Sequence, residues 1–414
     1  MKAKKVNLIM IGSRRNYAVS RILSSNGLLD SLVTDFYIKK RVGFFIRIID
    51  IFFGNRDWFR RLKTRRSEDL NDDLVSSINV IGLCYALARR LINTERAKHK
   101  LYLLMSVAIS FVVRFKVGYS RDVYWGIDGD SFHTFSQIRR KNHRAILILE
   151  QTILPRRMHS KVLMDQGLKW PAWRQGNESF EFDSGILKRE QSEWDLSDYI
   201  FTGSTFVRDA LIECGVSRQK IRVVPYGVNE FPAKVKKFSS GRQPLRLLFV
   251  GEVGLRKGVP YLLHAVSTFQ KSDVVLTCVG KISVENTILD KFRSNVTFTG
   301  SIPRSEVSKI YESADVFILP SLIEGSSVST YEALAHGLPV ITTKNSGSIV
   351  EHMVTGQIVD ESNVDSIIDA INIYLGDRSL LESHSAQCRA YKSPFISRYK
   401  DELIDTYLNV IGGA

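Results

Sequence analysis

Short apolar runs alternate with helically periodic segments along most of this chain. "KVNLIMIG", "RAILILEQT", "DYIFTGS", "IRVVPYG", "LRLLFVGE", "VVLTCVGK", "VTFTGSI", "DVFILPS" and "PVITT" are each brief, rich in Val, Ile, Leu and Phe, and mostly closed by Gly, Pro or Ser. That pattern predicts buried strands. Between them, "VPYLLHAVSTFQK" and "SSVSTYEALAHG" place apolar residues at helical spacing. Strand and helix in alternation predict parallel sheets with helices on both faces. In such sheets ligands bind beyond the carboxyl ends of the strands.

The stretch 229–244, "NEFPAKVKKFSSGRQP", is polar, basic and without a period, and it marks a linker. Two α/β domains follow from it, 1–235 and 240–395. The first carries a basic and apolar insertion over about 36–120. The tail 396–414 is expected to form a helix after Pro394 that crosses back to the first domain.

A length of 414 residues fits more than one core, and 44% hydrophobic with 24% charged residues is a globular composition. The charge is uneven. Residues 1–150 hold 28 Lys and Arg against 13 Asp and Glu, whereas residues 251–414 hold 14 against 19. One face therefore meets something anionic. The chain lacks zinc-finger spacing and RNP-type aromatics, which argues against nucleic acid. The segment 39–66 interleaves Arg and Lys with Phe, Ile and Trp, as a helix lying in a membrane interface would; a basic helix packed on its own domain fits as well. The apolar run 101–113 is too short to span a bilayer and is expected to be a buried helix. No cleavable signal is expected at the N-terminus, and four scattered cysteines suit a cytoplasmic protein.

Several constellations carry chemistry. In "LLFVGEVGLRKGVPYLL" a strand ends at Gly251-Glu252, and Arg256 and Lys257 precede a helix, a setting that favours phosphate. In "KVNLIMIGSRRNY" the first strand ends at Gly12-Ser13, where the missing Cβ lets backbone approach a ligand. In "PSLIEGSSVSTYEALAHG" Glu324 follows a strand that ends at Pro320. Ser326 or Ser327 is placed to cap a helix, and Glu332 lies on that helix. Backbone N–H groups at 325–328 would face an anion. A carboxylate's neutral partner is a pair of hydroxyls, so one Glu could hold ribose and the other a sugar.

Taken together, these residues resemble the retaining GT-B glycosyltransferases of family 4. The likeness rests on E-x7-E (Glu324, Glu332), on "GSTFVRDALIECGVSRQKIRVVPYGVN" at 203–229, and on "VGEVGLRKGVPYLL". It implies two Rossmann-like domains across a cleft and a nucleoside-diphosphate sugar held mainly by the second. It assigns Glu332 to the ribose hydroxyls and Glu324 to the transferred sugar. Gly325, Ser326, Ser327 and Val328 would lie near sugar and phosphates. Arg256 and Lys257 would neutralise the diphosphate. Gly12 and Ser13 would touch it from the first domain, Gly251 and Glu252 would flank it, and Gly300, Ser301 and Ile302 would lie by the base. Two departures stand out. Glu252 occupies a position where such proteins often carry arginine. At the strand end that commonly bears a sugar-facing histidine stand Glu150 and Gln151, with His133 as a further candidate.

The expected reaction is sugar transfer to a glycan or lipid-linked acceptor at the cytoplasmic membrane face, with no resident cofactor. An anionic membrane surface is an expected partner. No Asp-x-Asp pair is expected at a suitable strand end, so metal independence is expected too. Rival readings are a sugar-nucleotide epimerase or phosphorylase on the same fold, and a non-catalytic membrane-surface protein.

Overall fold

The structure, a computed structural model, describes residues 4–40, 65–92, 94–174, 184–229, 243–392 and 394–412. Most of the segment 39–66 and of the linker 229–244 lies outside the described residues.

Two all-parallel sheets form the scaffold. The first contains β1 (Val6–Met10), β2 (Leu29–Thr34), β3 (Val75–Ser77), β4 (Val123–Ile127), β5 (Ile146–Gln151), β6 (Tyr199–Thr202) and β7 (Ile221–Val223). The second contains β8 (Leu245–Val250), β9 (Val274–Val279), β10 (Val296–Gly300), β11 (Val316–Leu319), β12 (Val340–Thr343) and β13 (Gly356–Val359). Strand order is β3-β2-β1-β4-β5-β6-β7 in one and β10-β9-β8-β11-β12-β13 in the other. Both are Rossmann orders, and both reverse direction beside their first strand, where a crevice opens for a ligand.

The helices of the first half are α1 (Ala18–Ser25), α2 (Asn79–Leu91), α3 (Glu95–Val112), α4 (Phe132–Lys141), α5 (Arg156–Lys169), α6 (Ser184–Leu196) and α7 (Thr205–Glu213). Those of the second are α8 (Val259–Val266), α9 (Asn286–Asp290), α10 (Arg304–Ser313), α11 (Val328–Ala335), α12 (Val364–Gly376), α13 (Arg378–Ala390) and α14 (Ile396–Gly412). Central strands are buried along their length, β1, β4 and β11 on every residue, which is why they are almost wholly apolar; the exception, Asn7 of β1, donates to the Val123 carbonyl of β4.

Three helices ignore the boundary drawn by the chain. α5 follows β5 of the first sheet, yet Leu163 and the flanking Leu154 and Trp173 are buried in the second domain's core. Gln166 of α5 accepts a 2.5 Å hydrogen bond from the Tyr261 hydroxyl of α8. In the opposite sense, Tyr331 and Ala335 of α11 are buried with the first domain's core. α14 does likewise with Tyr399, Leu403 and Tyr407, and the Tyr407 hydroxyl donates to the Lys4 carbonyl at 2.8 Å.

The helix expected to be buried at 101–113 is α3, and it is buried on one side only. Met105, Ile109 and Val113 enter the core, whereas Leu104 and Phe111 are exposed. A run of apolar residues fixes neither face of a helix; its neighbours do.

Candidate active site

The crevices of the two sheets face each other, and the loops at their rims touch. Ser204 caps α7 and its hydroxyl donates to the Gly325 carbonyl at 2.5 Å. A Cβ on Gly325 would overlap the carbonyl oxygen of Thr152, just past β5. Glycine at 325 is what allows the loop after β11 to lie against the first domain.

Arg256 and Lys257 stand on a 3-10 turn, Leu255–Lys257, that ends at Gly258 with φ 68°. Gly258 lies directly on the Pro320 carbonyl, where any side chain would clash. The Leu322 N–H donates to the Arg256 carbonyl at 3.0 Å. These backbone contacts bring both cations to the loop after β11. Arg256 Nη1 reaches Glu324 Oε1 at 2.5 Å and the Ile323 carbonyl at 3.1 Å, and Lys257 Nζ pairs with the same Oε1. Lys257 is buried at 8% exposure, and that burial pushes its pKa down from the ordinary lysine value, with Glu324 opposing. Glu324 therefore carries the countercharge of two cations when no anionic ligand is bound.

Glu332 lies one turn into α11, whose N-cap is Ser327. Its Oε2 accepts from the Tyr311 hydroxyl at 3.0 Å. The Ser326 hydroxyl pairs with that of Tyr331 at 2.5 Å. The Ser327 N–H is taken by the Ser346 carbonyl at 3.1 Å, so the expected anion cradle at 325–328 loses one donor to the fold. The last cradle residue, Val328, begins α11 and is partly buried against the first domain's core.

Gly251 and Glu252 follow β8 directly. The Glu252 carboxylate accepts from the Ser283 hydroxyl and pairs with Lys281 at 3.4 Å. Burial alone would raise its pKa, but Ser283, Lys281 and Arg256 together hold it below the usual value. Gly300, with φ 71°, ends β10 and passes into Ser301 and Ile302; its carbonyl accepts from the Gly280 N–H at 3.0 Å.

On the first domain, Gly12 has φ 92°, and its N–H is taken by Asp35 at 2.8 Å. A ligand touching the Gly12-Ser13 loop must use other groups. Beyond Ser13 the backbone does not enter α1 directly. Arg15, Asn16 and Tyr17 are left-handed in succession, with φ 47°, 51° and 59°. The turn drives Arg15 inward, where its guanidinium lies 3.6 Å over the Tyr226 ring, bonds the Tyr399 hydroxyl at 2.7 Å and pairs with Glu150. Burial works against that charge, yet Glu150 and the two tyrosines raise the arginine's pKa overall.

Glu150 and Gln151 are thus committed within the protein. Gln151 accepts from the Trp194 indole at 2.9 Å and donates to the Ile153 carbonyl at 3.0 Å. His133, in the first turn of α4, has Phe132 and Arg189 of the first domain for neighbours, and burial lowers its pKa. A different histidine faces the cations. His159, in the first turn of α5, feels Arg256 and Glu324 across the cleft, and α5 packs on the turn that carries Arg256. Burial first, then Arg256 and Arg156, push its pKa to about 4, so it is neutral at neutral pH. Sequence reading passed over His159 because a lone histidine in a helix carries no motif.

The expectation that no Asp-x-Asp pair ends a suitable strand does not hold. Asp128-Gly129-Asp130 follows β4 directly, at the first sheet's crevice. Asp128 Oδ1 accepts from the Thr152 hydroxyl at 2.6 Å and N–H at 3.0 Å, and Asp130 Oδ2 accepts from the Ile11 N–H at 3.1 Å. Arg156 stands 3.8 Å from Asp128. Glu193 receives the N–H groups of Gly129, Ser131 and Phe132 at 2.7–2.9 Å. Burial raises Asp130 to about 7 and Glu193 to about 8. These acids tie loops together, and no cluster of metal-ligating type stands among the described residues.

The family model described as Glycosyl transferases group 1 matches residues 244–377, which include Arg256, Lys257, Glu324 and Glu332. The second domain is thus the part of the chain that is similar to the glycosyl transferases group 1. The amylovoran biosynthesis glycosyltransferase AmsK of Erwinia amylovora is 27% identical over 208 residues, 44% of this chain and 51% of that protein. Matched regions span between 51% and 61% of the first three curated relatives' own length. The fold likeness runs over the whole chain. Sucrose-phosphate synthase from Thermosynechococcus elongatus has TM-score 0.67 at 16% identity, over 99% of this chain and all of that one. Anabaena Alr3699/HepE, solved with UDP and glucose, has TM-score 0.60 at 12% identity, over 97% of this chain and 99% of that one. The matched domain and the sheet before it thus form a GT-B fold, and the paired cations lie in the matched domain, at its crevice.

Proposed function

We propose that this protein transfers a sugar from a nucleoside-diphosphate sugar to a glycan or lipid-linked acceptor, in polysaccharide or glycoconjugate synthesis at the cytoplasmic membrane face. The acceptor hydroxyl oxygen bonds to the anomeric carbon with retention. The bond from that carbon to the phosphate oxygen breaks, its electron pair leaves with the diphosphate, and the hydroxyl proton is released. The observation that carries this reading is the convergence of Arg256 and Lys257 on one oxygen of Glu324 at the crevice of the matched domain. A diphosphate entering there offers both cations a stronger anionic partner than a single carboxylate. Glu324 is then released toward the sugar hydroxyls. As the glycosidic bond breaks, charge grows on the diphosphate, and preorganised cations stabilise the transition state more than the ground state. Glu332 on α11 takes the ribose hydroxyls, beside Tyr311. The relative solved with UDP and glucose supports a nucleotide donor for this fold.

Two fixed cations supply the charge a divalent ion would otherwise bring, so turnover is proposed to be metal-independent and to survive a chelator. The deciding experiment is Lys257→Ala, assayed for nucleoside-diphosphate release once a donor has been found by thermal-shift screening. Turnover should fall by about two orders of magnitude or more. Near-intact turnover would remove the phosphate role.

A further inference from the structure

α2 and α3 each bury one apolar stripe and expose another. On α2, Tyr85 is buried, and Gly82 lies so close to the Asp35 carbonyl that a Cβ would overlap it. On the far side Val80, Leu87 and Leu91 follow helical spacing and are 78%, 39% and 81% exposed. On α3 and the turn after it, Leu104, Phe111 and Phe115 repeat the pattern at 67%, 53% and 74% exposure. Beside these stripes is a groove of about 540 Å³, lined by Ile78 and Ile81 at the start of α2 and by Ala108, Phe111, Val112 and Phe115 of α3 and the turn after it. Lys39 and Lys116 also line it.

Of the thirteen large apolar side chains exposed among the described residues, seven lie on α2, α3 and the turn after α3; scattered singly they would need no explanation, but a double stripe beside a groove does. Its charge identifies the occupant. Residues 78–121 contain eight Lys and Arg and one acid, Glu95. Arg89, Arg90, Lys100, Arg114 and Lys116 are exposed with the apolar stripes. A protein partner's interface core is depleted in lysine, whereas lipid phosphates seek lysine and arginine around an apolar patch. No helix among the described residues is long and apolar enough to cross a membrane, so the contact is one of lying on it.

We infer that the α2–α3 face docks on an anionic lipid bilayer, with Leu91, Leu104, Phe111 and Phe115 entering the acyl layer and the flanking cations on lipid phosphates. The groove between the helices admits part of an acyl chain. Lys39, the first residue of the segment 39–66 singled out by sequence, lines this groove, and the test of the surface does not depend on the nucleotide site.

The test is vesicle sedimentation with the full chain, comparing phosphatidylcholine alone with phosphatidylcholine containing phosphatidylglycerol. The wild type should bind the anionic vesicles at least about tenfold more tightly. The triple variant L104S/F111S/F115S should lose about tenfold or more of that binding. Its melting temperature and sugar-nucleotide binding should be unchanged, since all three side chains are exposed. The charge reversal R114E/K116E should lose anionic selectivity without touching the apolar stripe. Equal binding to both vesicles, or undiminished binding by the triple variant, would overturn the inference. So would a wild-type dimer that the triple variant dissociates, since the face would then meet a second copy. Sugar-nucleotide binding, read separately by thermal shift, reports on the proposed function whatever the vesicles show.

Discussion

One carboxylate oxygen of Glu324 meets two cations, and the buried one of the pair, Lys257, has its pKa lowered by burial. A lysine with a lowered pKa loses its charge earlier as pH rises. The alkaline limb of kcat/KM should therefore begin below the ordinary lysine value, and Lys257→Arg should move it upward, because guanidinium keeps its proton. A limb that does not move in the arginine variant would assign it to another group. Glu332→Ala should weaken donor binding about tenfold, seen as a smaller thermal shift at fixed donor concentration; unchanged affinity would contradict the ribose role. At this scale Arg256, Lys257 and Glu324, which the structure brings together, were legible because their chemistry stands in short motifs. Glu150 and Gln151 were not, since only packing shows that Arg15 and Trp194 occupy them. His159 was invisible for the converse reason: the fold brings it within the fields of Arg256 and Glu324, far from both in sequence.

Elements place these residues by close backbone approaches. Gly325 is the clearest case, pressed against the Thr152 carbonyl. Gly325→Ala should cost about 1–3 kcal/mol of stability and lower turnover by roughly tenfold or more, since the loop and the first domain must part. Denaturant unfolding and steady-state rates would check both effects; a fully active, fully stable variant would mean the loop does not need that contact. Nine strands were legible as apolar runs. β2 was hidden by Asp30 and Ser31, β3 by Ser76 and Ser77 after a single apolar Val75, and β13 by Gly356 and Gln357 ahead of only two apolar residues. β4, "VYWGI", was passed over with its glycine in mid-strand, and with it the Asp128-Gly129-Asp130 turn that follows. The left-handed run at Arg15–Tyr17 had no signal either, for it uses no glycine and costs of the order of 1 kcal/mol per residue.

The whole molecule has a buried acidic junction in its first domain, with Asp130 raised to about 7 and Glu193 to about 8. Both lie above the values these groups take in an unfolded chain. Their contribution to stability is complete below the unfolded values and is lost as pH rises through the folded ones. The melting temperature should therefore decline from about pH 5 to about pH 8.5, and Asp130→Asn should flatten that decline; an identical slope would place the titration elsewhere. α5 carries a different consequence, one for handling the protein. Its chain position puts it in the first half, but Leu154, Leu163 and Trp173 are buried in the core of the second, while α14 returns the favour. A cut anywhere in 230–242 would leave each fragment with raw apolar surface made for the other. The halves look like two modules that could be shuffled between proteins, yet neither would be expected to stay in solution alone, so any exchange of donor specificity by swapping must carry α5's packing residues along with the graft.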